Sequence, residues 1–162
     1  LKEEFKYKEG QHLTIRDLID GEDVRRNYSL CSSPLENEWR VAVKKMRGGK
    51  FSTYANEVLK KGDLLDVMPP MGHFFTELNP ENRKHYVAFA SGSGITPILS
   101  ILKTVLRTEE ESKFTLVFGN RNTLSIIFHE EIEGLKNKYM DRLRLFSTEE
   151  LQKINAMKSS MA

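Results

Sequence analysis

Phe89-Ala-Ser-Gly-Ser-Gly-Ile-Thr-Pro-Ile-Leu99 is the stretch on which the fold of this chain turns. The apolar run His85-Tyr-Val-Ala-Phe-Ala90 that leads into it has the length of a strand, read as Tyr86–Ala90. Behind it, Pro97–Arg107 places Ile98, Ile101, Leu102, Val105 and Leu106 on one helical stripe. Glycines at a strand-to-helix turn admit positive φ and leave room for a pyrophosphate beside the backbone. The spacing is Gly92-x-Gly94-x-Thr96-Pro97, not the Gly-x-Gly-x-x-Gly of the common dinucleotide fingerprint. No Gly-Lys-Ser/Thr follows to make a Walker loop. Thr96 reads as the N-cap and Pro97 as the first helical residue, where a missing N–H costs nothing. The loop is then either a phosphate cradle or a plain tight turn before a well-capped helix. The Thr96 hydroxyl also lies where ligands of open α/β sheets bind, at the carboxyl edge of the strands.

Beyond this stretch, the second half alternates strand and helix. Phe114–Phe118 reads as a strand, Ile126–Tyr139 as a helix with Ile132 and Leu135 inward, and Leu143–Phe146 as a third strand. This β-α-β-α-β order implies a parallel, Rossmann-like sheet. The first half reads differently. Residues 5–75 are mostly strand, with Trp39, Val41 and Val43 on one face of Trp39–Lys44 and a short strand Leu64–Met68 stopped by Pro69-Pro70. One helix is expected between them, Ser52–Lys61, with Ser52 as N-cap and Gly62 at C′. Several short strands and one helix suggest a small antiparallel β-barrel. The fold class is therefore mixed. A barrel domain is expected over 1–76, a polar linker over 77–85 and an α/β domain over 86–162.

Composition narrows the function classes. Lys and Arg number 25 against 23 Asp and Glu, a net charge of +2, and no basic run with interleaved aromatics marks a nucleic-acid binder. Cys31 is the single cysteine, so neither an intrachain disulfide nor a cysteine metal cluster can be built from this chain. His12, His73, His85 and His129 lack metal-ligand spacing, and no metal site is expected. No run approaches a membrane span, and Leu1-Lys-Glu-Glu4 does not read as a signal peptide, so the expectation is a cytoplasmic protein with no membrane partner.

The first half then supplies a partner for the glycine loop. Arg26-x-Tyr28-Ser29, within Val24-Arg-Arg-Asn-Tyr-Ser-Leu-Cys-Ser-Ser-Pro34, resembles the flavin signature of the ferredoxin–NADP reductase superfamily. Gly48-Gly-Lys-Phe-Ser52 resembles that superfamily's second flavin element, and Gly92-x-Gly94-x-Thr96-Pro97 its nicotinamide-nucleotide element. Each motif alone is weak; three in this order are specific. The resemblance runs from Tyr7-Lys-Glu-Gly-Gln11 to about Phe146. With Val67-Met-Pro-Pro-Met-Gly72 it is most similar to the reductases of bacterial phenylacetate degradation.

The resemblance implies an FAD-dependent NAD(P)H oxidoreductase that passes electrons to an iron–sulfur centre and then to an oxygenase. Arg26 and the N–H groups of Gly49, Lys50, Phe51 and Ser52 would hold the FAD pyrophosphate, and Tyr28 would lie against the flavin. Ser29 would hydrogen-bond the flavin N5 and Thr96 would approach the ring near the nicotinamide; these two are the candidate catalytic residues. Gly92, Gly94, Thr96 and Pro97 would line the coenzyme site. Arg121, in Gly119-Asn-Arg-Asn122, either accepts a 2′-phosphate or is a solvated loop arginine. Cys31 reads as a small buried or flavin-adjacent residue, and the Lys/Glu-rich helix faces as solvated. The superfamily also carries two strands ahead of Tyr7 and, beyond Ser147, a loop, a helix and a strand ending in Cys-Gly-Pro. Their absence suggests that the barrel and the α/β domain are each incomplete and that residues 147 and 148 flank a gap. The iron–sulfur cluster would belong to a segment absent from this chain. The alternatives are the same core with another acceptor, as in flavohaemoglobins or ferredoxin/flavodoxin reductases, and a nucleotide-binding module without redox turnover.

Overall fold

The structure, a computed structural model, describes residues 3–119 and 127–147. Strands β1 (His12–Ile19) and β2 (Glu22–Ser29) form an antiparallel hairpin in register from His12↔Ser29 to Ile19↔Glu22. Asp20 and Gly21 turn it with φ of 51° and 78°, the two-residue turn whose twist matches that of the strands. Period-two alternation buries Leu13, Ile15, Ile19 and Val24 against Leu30 and Phe51. Strand β3 (Asp66–Val67) pairs with the other edge of β1, giving the order β2-β1-β3. The domain expected as a barrel is thus an antiparallel sheet that does not close among the described residues.

Two stretches read as strands are shorter than expected. Trp39–Lys44 makes one bridge, Leu30↔Val41, although Trp39 and Val41 still pack on the core. Leu64–Met68 contracts to β3, and Leu64 is 95% exposed. Alternation supplies a buried face but not a hydrogen-bonded neighbour, and a strand needs both. Helix α1 spans Lys50–Glu57 rather than Ser52–Lys61, with Gly49 at the N-cap. Ser52 does not cap: its Oγ donates to Gly49 O and accepts from Met46 N, both at 3.1 Å, and so closes the turn that starts the helix. A Lys60–Asp63 turn, with Lys60 N–H on Asp63 Oδ2 at 2.7 Å, diverts the chain before Gly62.

In the second half β4 (His85–Ser91), β5 (Lys113–Gly119) and β6 (Leu143–Ser147) form a parallel sheet in that order. Helices α2 (Ile95–Thr108) and α3 (His129–Lys138) cross between them; the expected start of α3 at Ile126 lies outside the described residues. Leu99, Leu102, Val105 and Leu106 of α2 pack with Phe114, Leu116, Ile132 and Leu143. Each such side chain, fully buried, contributes about 1.5–3 kcal/mol. Arg142 ends α2 by donating to Leu106 O (2.8 Å) and Glu109 O (2.9 Å), carbonyls the helix itself leaves unpaired.

Every residue of α2 from Ile95 to Leu106 except Pro97 is buried, because the helix has the sheet on one side and the first half on the other. Lys103, on the side of α2 away from its apolar stripe, is 2% exposed. Its Nζ donates to Glu36 Oε2 (2.6 Å) and Glu131 Oε1 (3.1 Å), while Arg40 reaches Glu131 (2.7 Å) and Arg107 reaches Glu36 (3.0 Å). Cys31, just past β2, is wholly buried in the core of the second half. Residues 77–85 are clipped to that half by the buried Glu109 carboxylate, which accepts from Asn79 N, Asn82 Nδ2, Tyr86 OH and Ser112 Oγ.

Candidate functional site

Among the described residues the two halves line a cleft of about 540 Å³. Arg26, Tyr28 and Ser29 reach it from the end of β2, Gly49, Lys50, Phe51 and Ser52 from the start of α1, and Gly94, Thr96 and Pro97 from the start of α2. Three motifs separated by tens of residues in sequence meet here. Gly92 opens the same turn without lining the cleft. Arg121 lies outside the described residues.

The local folding of each element explains its contribution. β2 ends at Ser29, whose backbone is paired to His12, so the half-buried side chain is held at the rim. Its hydroxyl has no hydrogen bond among the described residues. Tyr28 lies at 5.6 Å and 35° to Phe51, which is 1% exposed, and this gives the ring a fixed backing. Burial pushes the Tyr28 hydroxyl above its ordinary pKa, against the pull of Arg26. At α1, a side chain on Gly49 would place Cβ 2.4 Å from Ser52 Oγ, so glycine keeps the turn tight. The first turn of α1 carries no acidic residue, which leaves its N–H groups and dipole open to an anion.

At α2 the arrangement differs from the expected cap. Gly92–Gly94 forms a 3₁₀ turn running straight into a helix that begins at Ile95, with Gly94 as N-cap. Thr96 is the second helical residue and Pro97 the third, still within the first turn, where the N–H has no intrahelical acceptor. Thr96 Oγ1 donates to Ser93 O at 2.9 Å, so the hydroxyl holds the turn and keeps its lone pairs toward the cleft. Gly92 uses the left-handed conformation (φ 51°), whereas Gly94 is helical with φ −62° and does not need positive φ.

Asn27, Ala42, Lys44, Met46 and Ser93 also line the cleft and were not singled out in the sequence. A signal existed for two of them: if Trp39, Val41 and Val43 share one face, Ala42 and Lys44 share the other. No carboxylate is among the lining residues, while Arg26, Lys44 and Lys50 are. Arg26 has no carboxylate partner among the described residues; Lys50 pairs with Glu22 at 2.9 Å. Cations, a helix N-terminus, an aromatic face and free hydroxyls together suit a flat ring joined to a diphosphate. Cys31 is no nucleophile: it is fully buried, burial raises its thiol pKa, and its Sγ lies 3.1 Å from Arg40 O. Among the described residues no cluster of His, Cys, Asp and Glu is placed to hold a metal, and no helix is long and apolar enough to cross a membrane.

The family description "Oxidoreductase FAD-binding domain" matches residues 1–76, and "Oxidoreductase NAD-binding domain" matches residues 89–161. A subunit of the 1,2-phenylacetyl-CoA epoxidase of Escherichia coli (strain K12) is 48% identical over 93% of this chain and 43% of its own length. The ferredoxin reductase component of 3-ketosteroid-9-alpha-monooxygenase from Rhodococcus rhodochrous is 40% identical over 88% of this chain and 40% of its own length. The chain therefore spans less than half the length of these curated relatives. Among solved structures, Ferredoxin-NADP+ reductase from Plasmodium falciparum with 2'P-AMP shares the fold with a TM-score of 0.78 at 24% identity, covering 89% of this chain and 60% of that one. The two family matches and the shared fold agree with what the cleft brings together: the chain joins an oxidoreductase FAD-binding domain to an oxidoreductase NAD-binding domain and has the ferredoxin-NADP reductase fold.

Proposed function

We propose that this chain is the flavin and nicotinamide core of a reductase that takes electrons from NAD(P)H through FAD to an iron–sulfur centre and an oxygenase in phenylacetate degradation. The observation that carries the flavin part is the cleft in which Arg26, Tyr28 and Ser29 face Gly49–Ser52 on one side and Thr96 on the other. Bound FAD would supply the conversion of a two-electron hydride donor into single-electron transfers. The residues of the chain bind and orient. Arg26 and the α1 N-terminus neutralise the pyrophosphate, and Tyr28 backed by Phe51 supports the isoalloxazine. Ser29 offers an unengaged O–H to the ring atom that gains charge, and Thr96 limits the approach of the nicotinamide from α2. Domain limits at 1–76 and 86–162, with 77–85 between, suit this division of labour.

Two relatives support this acceptor, one a subunit of an epoxidase and the other the ferredoxin reductase component of a monooxygenase. With Cys31 as the one cysteine of this chain, the iron–sulfur ligands would come from another segment or a partner. Arg121 would pair with a 2′-phosphate and favour NADPH. The test is NAD(P)H oxidation by the full-length protein with and without a phenylacetyl-CoA-epoxidising oxygenase. Oxidation coupled to epoxide formation supports the proposal. A reduced flavin that delivers electrons only to nitric oxide or oxygen chemistry would replace the acceptor, and a protein without flavin would overturn the reading.

A further inference from the structure

The hydroxyls of α2 recur at Thr96, Ser100 and Thr104, one helical turn apart and on one face. The first borders the cleft; the other two make hydrogen bonds with residues of the first half. Ser100 Oγ donates to Ser32 O at 2.6 Å, and both residues are fully buried. Thr104 Oγ1 donates to Ser100 O at 2.6 Å, which commits its one proton. The 2.8 Å contact between Ser33 Oγ and Thr104 Oγ1 is therefore donated by Ser33, whose own oxygen accepts Leu35 N–H at 3.2 Å. Two hydrogen bonds thus cross between the halves in opposite senses, one from Ser33 Oγ to Thr104 Oγ1 and one from Ser100 Oγ to Ser32 O.

What this ladder grips matters. Ser32 and Ser33 lie three and four residues beyond Ser29, and Ser100 lies one turn beyond Thr96. The two groups that face each other across the cleft are thus tied together by a short arm on either side, about 10 Å of extended chain and about 6 Å of helix. We propose that Ser100 and Thr104 are positioning residues, which set the distance between Ser29 and Thr96 and so the approach of the nicotinamide to the flavin. This rests on the flavin-reductase reading. A contact in the hydrocarbon core would hold the halves together but would tolerate sliding, whereas a directional hydrogen bond between buried groups fixes one register.

The test uses the full-length, FAD-loaded protein and the variants Ser100→Ala, Thr104→Val and the conservative Ser100→Thr. Stopped-flow reduction by NAD(P)H gives the limiting rate and the half-saturating coenzyme concentration; hydrogen exchange by mass spectrometry reports residues 28–36 and 92–98. Ser100→Ala and Thr104→Val should lower the limiting rate about tenfold, on the scale of a misplacement below 1 Å. Half-saturation should stay within about twofold and FAD content should be unchanged, because binding itself is spared. Exchange should rise in both segments, and Ser100→Thr, which keeps the hydroxyl, should restore rate and protection together. The inference is overturned if either removal leaves the limiting rate at the wild-type value, or if the loss follows FAD content or overall stability. It falls with the flavin-reductase reading if NAD(P)H does not reduce the flavin of the wild-type protein, a result visible before any variant is made.

Discussion

Ser29 and Thr96 face the same cleft with their hydroxyls in different states. Thr96 has given its proton to Ser93 O, so toward a ligand it accepts. Ser29 has no partner among the described residues and is able to donate. A donor is what an atom gaining hydride charge requires, and its bond strengthens as the charge develops. Ser29→Ala should therefore slow flavin reduction in stopped-flow more than it raises the half-saturating NAD(P)H concentration; a pure binding defect would reject the role. Arg26 is exposed, with Nη1 on Arg25 O at 2.7 Å and no carboxylate competing for it among the described residues, so its reach toward the cleft is open. Arg26→Ala should weaken FAD binding about tenfold, the scale of a charge-assisted hydrogen bond partly screened by water. Titration of apoprotein with FAD measures it, and unchanged affinity would move the pyrophosphate elsewhere. Arg121 lies outside the described residues, and its stretch Gly119-Asn-Arg-Asn122 carries no carboxylate to repel a 2′-phosphate. Arg121→Ala should lose kcat/KM for NADPH selectively and keep most of that for NADH. Equal losses would give the residue a role in the shared part of the nucleotide or in the fold.

Among the elements, α2 carries most of the architecture, and its two sides were unequally legible. The stripe Ile98, Ile101, Leu102, Val105 and Leu106 is written in the helical period, and all five are buried. The opposite side, Ser100, Lys103 and Thr104, reads as solvated by the same rule. It is buried because Glu36 and Glu131, distant in sequence, are brought to Lys103 by the fold. No local pattern announces such a partner. The same limit explains Trp39–Lys44, where alternation was visible but the missing neighbour strand was not, and Ser52, a good N-cap by type that closes a turn instead. The Asp20-Gly21 hairpin turn, by contrast, is of a kind that the dipeptide itself announces. Below α2, the Glu109 carboxylate is opposed by burial, but bonds from Asn82, Ser112, Asn79 and Tyr86 outweigh this and hold its pKa below the ordinary value. A depressed carboxylate pKa adds stability that is present above the unfolded-state value and lost as pH falls through the folded one. Glu109→Gln, which turns an acceptor edge into a donor facing donors, should cost about 1–3 kcal/mol at neutral pH by denaturant unfolding. The difference from wild type should narrow as pH falls below 4.5. A constant difference across that window would show that shape, not charge, is what the site requires.

Across the molecule as a whole, two cores with different periods meet along one polar seam, and the cleft exists because the seam holds them in one arrangement. Lys103 is the most enclosed charge in that seam, with a side chain 2% exposed against 17% for Glu36 and 26% for Glu131. Removing one partner of a buried pair leaves the others desolvated and unpaired. Lys103→Met should therefore destabilise the protein by about 3 kcal/mol, the low end for such a break because Arg40 and Arg107 remain beside the two carboxylates. Thermal unfolding measures it, and a neutral result would mean that the arginines suffice. Whether the cleft between the halves holds FAD and presents it to NAD(P)H is decided by one anaerobic titration. The full-length protein is loaded with FAD, freed of unbound flavin, and mixed with NAD(P)H while the visible flavin absorption is followed. One FAD should be retained per chain, and its absorption should be bleached by one equivalent of coenzyme. A folded protein that retains no FAD, or retains it in a form that NAD(P)H does not bleach, would contradict this reading of the cleft.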